Sequence, residues 1–294
     1  MTLNHYKTGP DFSKDDLRAL IESGLKMDIH MHTCFSDGTL TPEEVLDMRV
    51  SEGYELLAIT DHDGIDGSVR GLRHAEELGI KYISGIEFDS EDGLGKDIHM
   101  LGYGFDPDNS ALRAALSGIL EERDNRNRKF KAALNKRGFG ITDEEIWAIN
   151  EGRFVGKPTF AAVLRNKGIV ESKNDAFNTI FREDDIRSIK KKTLNTREVV
   201  ELIHTAGGLA VLAHPMEQRR MEESFEEFMP RMYWILDRIL GYGIDGLECH
   251  HPSADPVQQK MLVEYAKAHD LMITRGSDFH TLYDKRNFER YHRP

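Results

Sequence analysis

The stretch Asp28-Ile29-His30-Met31-His32-Thr33-Cys34-Phe35-Ser36-Asp37-Gly38 places two histidines one residue apart, directly after an apolar position. In a strand, the side chains of residues i and i+2 project to the same side. His30 and His32 are therefore expected to aim both imidazoles at one point, which would form half of a metal site. The chain contains 13 histidines, so this spacing alone also fits a chance occurrence. The rest of the sequence has to supply further ligands.

Length and composition indicate a globular chain. The 294 residues, of which 39% are hydrophobic and 31% charged, suffice for one large α/β domain or two domains with a substantial core. No apolar run approaches the roughly 18 residues of a membrane span, and residues 1–16 lack the apolar centre of a secretory signal. Two cysteines, Cys34 and Cys249, are too few for a disulfide framework. We therefore expect a cytoplasmic protein that does not bind membranes.

The net charge of −12 argues against a broad surface for long nucleic acids. It does not exclude a small phosphorylated substrate. Carboxylates that hold divalent cations count as negative in that sum, and yet they form a locally positive site.

Short apolar runs alternate with helical patterns along most of the chain. Seven strands are predicted, at 26–30, 56–60, 81–88, 97–103, 209–213, 244–248 and 271–275. This alternation predicts an α/β fold with a parallel sheet, either closed into a barrel or doubly wound. We favour the barrel, because candidate ligands follow nearly every strand and the strand ends of a barrel converge on one mouth.

The predicted organisation has three parts. Residues 1–25 form an N-terminal arm with a short helix from about Ser13 to Glu22. Residues 26–107 and 192–294 form the barrel. Residues 108–191 show helical patterns with little strand signal, beginning with a long charged helix from Asn109 to about Arg137, and are predicted to be a helical insertion domain.

Histidines and carboxylates gather at the ends of the predicted strands. They are His30, His32, Asp37, His62, Glu87, His99, His214, Asp278 and His280. A structural hydrogen bond explains any one of them, but it explains the whole set poorly. Nine residues exceed the about four to six ligands that one ion takes. Two or three ions are therefore implied, with a carboxylate bridging them.

These residues lie in motifs that resemble the polymerase and histidinol phosphatase (PHP) superfamily. The motifs are DIHMHTCFSDG at 28–38, ITDHD at 59–63, GIEF at 85–88, HMLGY at 99–103, AHP at 213–215 and GSDFH at 276–280. The helical block at 108–191 further resembles the insertion of stand-alone metal-dependent phosphoesterases of the TrpH-like type. The resemblance implies a distorted (β/α)7 barrel, an inserted small helical domain and a trinuclear metal centre.

The resemblance also implies three groups of ligands. They are His30, His32, Glu87 and Asp278 for one ion, Glu87, His99 and His214 for a second, and Asp37, His62 and His280 for a third. One position departs from the pattern. Lys157-Pro158-Thr159 stands where similar proteins often carry Arg-Pro-His, so a role of that histidine toward the substrate is not carried over, although Lys157 keeps a positive charge.

A mixed set of imidazoles and carboxylates suits Mn²⁺, Zn²⁺ or Fe²⁺ better than Mg²⁺. Two close ions bridged by Glu87 would lower the pKa of a shared water, supply hydroxide near neutral pH and neutralise charge on a phosphate. His30, His32, Glu87 and Asp278 are therefore the catalytic candidates. Arg126 and Lys157 are candidate contacts for the substrate phosphate, although each is also explained as a surface charge.

We therefore predict a metal-dependent phosphoesterase acting on a small phosphorylated substrate, either a nucleotide such as a nucleoside 3′,5′-bisphosphate or a short oligonucleotide. A histidinol-phosphate phosphatase and a 5′–3′ exoribonuclease would use the same centre. A regulatory module with a structural metal cluster is the non-enzymatic alternative. The sequence leaves the metal and the oligomeric state open.

Overall fold

The computed structural model describes residues 13–94, 96–150, 154–220 and 222–281 of the chain. Helices and strands alternate over most of this part, and the predicted α/β class is confirmed. The helices are α1 Lys14–Ile21, α2 Pro42–Ser51, α3 Asp66–Leu78, α4 Ser110–Lys136, α5 Asp143–Asn150, α6 Lys157–Asn166, α7 Lys173–Asn178, α8 Asp184–Arg187, α9 Thr196–Thr205, α10 Phe225–Leu240 and α11 Pro256–Ala268. The strands are β1 Met27–Asp28, β2 Leu56–Leu57, β3 Lys81–Tyr82, β4 Gly85–Glu91, β5 Ile98–Tyr103, β6 Leu194–Asn195, β7 Leu209–Leu212, β8 Gly246–His250 and β9 Met272–Arg275.

The strands form two hydrogen-bonded sheets. One is parallel, with the order β1-β2-β3, and the other has the order β6-β4-β5-β7-β8-β9. Strand β5 runs antiparallel to both β4 and β7, so the prediction of a wholly parallel sheet was wrong at this strand. The link between β4 and β5 spans only residues 92–97. It is too short for a crossover helix, and the chain therefore turns back as a hairpin.

Two isolated bridges join the sheets, one between Met31 and Phe279 and the other between His62 and Glu87. The described hydrogen bonds do not form one continuous ring of seven strands, and the closed barrel stays a prediction. The predicted run 81–88 divides into β3 and β4. Strand β6 was not predicted, because two residues are too short to leave a periodic pattern.

From α4 to α8 the described chain is helical. Helix α4 begins where the Asn109 side chain accepts hydrogen bonds from two backbone N–H groups of the first turn, as expected of an N-cap. A separate hydrophobic cluster lies among these helices, in which the Phe130 ring packs 5.1 Å from Phe160 and 5.0 Å from Phe181, centroid to centroid. The predicted insertion domain at 108–191 and its boundaries stay a prediction.

At the N-terminal end, α1 begins with a capping box formed by Ser13 and Asp16, close to the predicted start of this helix. The first twelve residues of the predicted arm lie outside the described residues. Among the described helices, none combines the length and the apolarity that crossing a bilayer requires.

Candidate metal centre

The two histidines of the opening motif lie where the beginning and the end of the described chain meet. The backbone N–H of Asp278 donates to the carbonyl of His30 at 2.9 Å, and the N–H of His32 donates to the carbonyl of Phe279 at 2.8 Å. Both imidazoles are fully buried, with ring centroids 5.3 Å apart. Ile29 and Met31 pack in the apolar core instead. The alternation thus brings the two imidazoles together as the spacing predicted, and their role as ligands stays a prediction.

Glu87 and Asp278 complete the first predicted group. Nε2 of His30 lies 3.4 Å from Oε2 of Glu87 and 3.4 Å from Oδ1 of Asp278. Nε2 of His32 lies 3.2 and 3.1 Å from the same two oxygens. Two nitrogens and two oxygens on four side chains therefore converge within 4.8 Å of one another, a donor set that suits a divalent transition metal.

The third predicted group also comes together. Nε2 of His280 lies 3.3 Å from Oδ1 of Asp37, and Nε2 of His62 lies 4.0 Å from Oδ2 of Asp37. His32 joins this cluster through its Nδ1, 3.8 Å from Oδ1 of Asp37. His32 thus stands between two groups of potential ligands, which was not predicted.

The second predicted group is arranged around the other oxygen of Glu87. Nδ1 of His99 and Nε2 of His214 each lie 3.0 Å from Oε1 of Glu87. His62 also approaches Glu87, with its Nδ1 3.3 Å from Oε2, and it clusters with Glu87 and His99. The structure therefore offers His62 two possible groups, one through each ring nitrogen.

Several buried atoms of this cluster have no hydrogen-bond partner among the described residues. They are Nε2 of His30, Nε2 of His32, Oδ1 of Asp37, Nδ1 of His62, Oε2 of Glu87 and Nδ1 of His214. An unsatisfied buried polar atom costs about 1–3 kcal/mol, and most such atoms in folded proteins are paired. Imidazole and carboxylate atoms that converge without satisfying one another fit a divalent cation, which would satisfy them together.

At the histidines and carboxylates of the cluster, neighbouring opposite charges shift the pKa more than burial does. Burial alone would raise the pKa of Glu87, but His62 and the other histidines around it hold the pKa well below its usual range. Burial alone would lower the pKa of His99, but Glu87 and Asp89 raise it to about 9. In His280, burial also opposes protonation, and Asp37 raises the pKa to about 9. In the ion-free protein Glu87 is therefore ionised at neutral pH, while His99 and His280 carry protons that a metal has to displace.

Backbone strain accompanies these positions. Four non-glycine residues in the described chain have positive φ, and three of them lie at the cluster, namely Asp63 at 53°, His214 at 24° and Asp278 at 51°. Such conformations cost about 1–3 kcal/mol each and concentrate at functional sites.

Glu248 and His251 also lie at the cluster, and neither was among the predicted site residues. Glu248 is fully buried; its Oε1 lies 2.9 Å from Nδ1 of His30, and its Oε2 accepts the backbone N–H of His214 at 2.8 Å. Nε2 of His251 lies 3.3 Å from Oδ2 of Asp278. A glutamate within the apolar run 244–249 was the signal available for Glu248, because a buried carboxylate needs partners.

The two predicted phosphate contacts are less exposed than surface charges usually are. Arg126 on α4 is only 8% exposed, and its Nε has no hydrogen-bond partner in the described structure. Burial, and then the charge of Arg123, lower the pKa of Arg126 to about 10, partly offset by Asp89. Burial and the charge of Arg126 also lower the pKa of Lys157. Arg126 is therefore a buried cation that feels the charge of Asp89 and forms no ion pair with any residue in the described part of the chain.

Thr159, at the position of the histidine in similar proteins, is used locally. Its hydroxyl accepts the backbone N–H of Gly156 at 3.2 Å, in the first turn of α6. It is buried there, so it does not replace an imidazole at the cluster.

The chain is similar to several known proteins. The family model of the PHP domain matches residues 28–236. A 5′–3′ exoribonuclease of Haemophilus influenzae is 30% identical over 87% of this chain and 90% of its own. A 3′,5′-nucleoside bisphosphate phosphatase of Chromobacterium violaceum is 30% identical over 86% of this chain and 87% of its own.

A crystal structure from Bifidobacterium adolescentis, described as a metal-dependent phosphoesterase, superposes with a TM-score of 0.74 at 30% identity, covering 91% of this chain and 96% of that one. The relatives and this structure act on phosphate esters by their names, which confirms the predicted enzyme class and its dependence on metal. The chain therefore belongs to the PHP domain family, and its class is that of the metal-dependent phosphoesterases.

Proposed function

We propose that this chain hydrolyses a phosphate ester of a nucleoside 3′,5′-bisphosphate or of a short 5′-phosphorylated oligonucleotide, with two or three divalent ions as cofactors. One observation carries the proposal. A cluster of unsatisfied buried ligand atoms includes residues around Asp89, and the charge of Asp89 acts on Arg126, a buried arginine that forms no ion pair with the described residues. The cluster fits cations, and the arginine fits an anion.

The residues that would hold the ions are those of the three groups. They are His30, His32, Asp37, His62, Glu87, His99, His214, Asp278 and His280. Mn²⁺, Zn²⁺ and Fe²⁺ suit this set. Such ions supply positive charge for phosphate oxygens and acidify a water molecule.

The chain's own residues orient the site. Glu87 directs one oxygen toward His30 and His32 and the other toward His99 and His214, so it is the carboxylate suited to bridge two groups. Asp278 faces the same histidine pair from the opposite end of the chain. We assign His30, His32, Glu87 and Asp278 as the catalytic set on this basis.

Arg126 and Lys157 are suited to a phosphate group. Hydrogen bonds from charged groups contribute more than neutral ones, and Arg presents a fork that matches phosphate oxygens. A phosphate beside Arg126 would supply a close counter-ion, which no described residue provides to this buried guanidinium. A substrate with one phosphate at the metal cluster and a second at Arg126 would use both features, which favours a bisphosphate or a 5′-phosphorylated oligonucleotide over a simple monoester.

The names of the relatives support two versions of this proposal. The Chromobacterium enzyme is named for nucleoside bisphosphates and the Haemophilus enzyme for RNA degraded from the 5′ end. We take the bisphosphate as the first substrate to test and the oligonucleotide as the second. We also propose that the strands close into a barrel and that residues 108–191 cover its mouth. A cytoplasmic location is proposed as well.

A substrate panel tests the proposal. Ion-free protein is reconstituted separately with Mn²⁺, Zn²⁺ or Fe²⁺ and assayed for phosphate release from adenosine 3′,5′-bisphosphate and adenosine 5′-monophosphate. Histidinol phosphate and a 5′-phosphorylated trinucleotide complete the panel. We expect turnover of the bisphosphate or of the trinucleotide to exceed turnover of the monoesters. Stepwise release of mononucleotides identifies the exonuclease version. Preference for histidinol phosphate, or metal binding without turnover of any ester, would overturn the proposal.

A further inference from the structure

Two acidic residues outside the predicted ligand set, Asp63 and Asp89, share one lysine partner near His62. Oδ1 of Asp63 accepts the backbone N–H of Asp89 at 3.1 Å, and the side chain of Asp63 is fully buried. Asp63 is also one of the residues with positive φ. The Asp89 side chain is partly buried, 23% exposed. A fully buried carboxylate with a second, partly buried carboxylate close by requires cations to offset the charge.

Both cations come from the helical segment, residues 108–191. Arg123 on α4 donates to Oδ2 of Asp63 at 2.8 Å. Lys191, the last residue of the segment, contacts the same oxygen and also donates to Oδ2 of Asp89 at 2.7 Å. Burial alone would lower the pKa of Lys191, but Asp89 and Asp63 raise it, so the ammonium stays charged. Lys191 therefore joins the helical segment to both carboxylates.

The second oxygen of Asp89 reaches the candidate metal centre. Oδ1 of Asp89 lies 3.1 Å from Nδ1 of His62. The same nitrogen lies 3.3 Å from Oε2 of Glu87, and Nε2 of His99 lies 3.5 Å from Oδ1 of Asp89. An imidazole that donates its Nδ1 hydrogen to a carboxylate presents the lone pair of Nε2 to a metal. Nε2 of His62 is the nitrogen that faces Asp37.

Asp89 thus stands next to the ring nitrogen through which His62 would join Glu87 and His99. Nδ1 of His62 and Oδ1 of Asp89 are within ion-pair distance but not aligned as a hydrogen bond in the ion-free protein. If Asp89 accepts the Nδ1 hydrogen once an ion is bound, His62 is directed through Nε2 toward Asp37 and His280. Without it, Nδ1 is free to join Glu87 and His99. The position of Asp89 depends in turn on Lys191, which occupies its other oxygen.

We propose that Lys191 is a positioning residue that makes the ion held by Asp37, His62 and His280 dependent on the seating of the helical segment. The inference rests on the proposed function only in treating these three residues as metal ligands. The carboxylate partner of a ligating histidine, which is the position of Asp89 beside His62, typically changes metal affinity about 10- to 100-fold when it is removed. Lys191 acts on the ligand through Asp89.

Metal binding without substrate tests the inference. Mn²⁺ is titrated into ion-free protein by calorimetry, and the bound metal is counted after dialysis, for the wild type, Lys191→Met, Lys191→Arg and Asp89→Asn. Lys192→Met is the control, because the neighbouring Lys192 is exposed. We expect Asp89→Asn to weaken one class of bound Mn²⁺ by about 10- to 100-fold and Lys191→Met to weaken the same class. Lys191→Arg should retain most of this binding, and Lys192→Met should match the wild type.

Unchanged Mn²⁺ affinity and stoichiometry in both Lys191→Met and Asp89→Asn would overturn the inference. So would equal weakening of every bound ion, because that result indicates a general loss of structure. The proposed function is judged separately by turnover. A wild type that hydrolyses no phosphate ester while Lys191→Met still loses one ion would refute the function and support the positioning role.

Discussion

Glu248 contacts Nδ1 of His30 at 2.9 Å, in a place where neither side chain is reached by solvent. The other oxygen of the same carboxylate accepts the backbone N–H of His214 at 2.8 Å. The buried Glu248 thus fixes both the imidazole of His30 and the strained backbone of His214. When Nδ1 of His30 donates its hydrogen to Glu248, the lone pair of Nε2 is free to bind a metal. Nε2 faces Glu87 and Asp278.

Glu248→Gln should therefore weaken Mn²⁺ binding by about 10- to 100-fold, as is usual when the carboxylate partner of a ligating histidine is removed. The amide keeps the shape of the side chain but loses the charge that holds the Nδ1 hydrogen of His30. Calorimetric titration of ion-free protein measures the change. Glu264→Gln, an exposed position on α11, is the control. Equal affinities in the two variants would contradict the role of Glu248.

His30→Ala and Asp278→Ala should each abolish turnover of the best phosphate ester while leaving the fold intact, because each removes a ligand from the first group. Turnover is measured at saturating Mn²⁺, and circular dichroism checks the fold. His269→Ala, an exposed histidine after α11, serves as the control. Full activity in either of the first two variants would refute the metal assignment.

The ion-free protein should lose thermal stability as pH rises from about 6.5 to above 9. Burial opposes protonation of His99 and His280, but Glu87 and Asp37 raise their pKa to about 9 from 6.5. Histidines with a raised pKa stabilise the fold fully below the unfolded value and lose that contribution as pH passes the folded value. Apparent Mn²⁺ affinity should rise over the same range, because fewer protons are displaced. Thermal melts with chelator and titrations with Mn²⁺ between pH 6.5 and 9.5 measure both trends. A melting temperature that is constant across this range would contradict the protonation of these two histidines.

Arg126→Gln should raise KM for a nucleoside 3′,5′-bisphosphate roughly 10- to 100-fold, since a hydrogen bond to a charged group contributes about 1.5–3 kcal/mol. The KM for a monophosphate should change much less, because the second phosphate is absent. Arg128→Gln is a matched control on the same helix, where the side chain is exposed and bonds to Asn125. Equal changes for both substrates would contradict a phosphate contact at Arg126.

Gly276→Ala should disturb the centre directly. A Cβ at this position would lie 2.0 Å from Cβ of His30 and 2.7 Å from Oε1 of Glu248, so the backbone has to shift. We expect the free energy of unfolding to fall by about 1–3 kcal/mol and Mn²⁺ to bind more weakly. Gly118→Ala in α4, where the added methyl meets open space, should instead stabilise the protein by about 0.5–1 kcal/mol. Chemical denaturation measures both.

The local patterns that the sequence carries are the ones that predicted well. The alternation of Ile29, His30, Met31 and His32 fixes which side chains enter the core and which face the centre, because strand periodicity is a local property. Helix α4 and the helix after Ser13 were equally readable from their caps. The antiparallel direction of β5 was not predicted. The expectation of a parallel sheet came from the alternation of strands and helices along the whole chain, and the short link before β5 was not considered.

Partners of the candidate ligands were harder to predict than the candidates themselves. Glu248 lies among apolar residues, and nothing near it in sequence indicates that His30 is its partner. Asp89 follows Glu87 by two residues and so lies on the same face of β4, a signal that was available. Its other partner, Lys191, is 102 positions away, and only the folded chain brings them together.

The pairing of the opening motif with the segment around Asp278 also orders events during synthesis. Asp28 accepts hydrogen bonds from Ser277 across 249 positions. The carbonyl of His30 likewise accepts the backbone N–H of Asp278. Contacts of such separation form late and slowly. A chain that is still emerging from the ribosome would therefore expose the histidines of the opening motif before their partners near residue 278 have been synthesised. Selective loading of metal then has to wait until residue 280 is free to fold back onto the first strand.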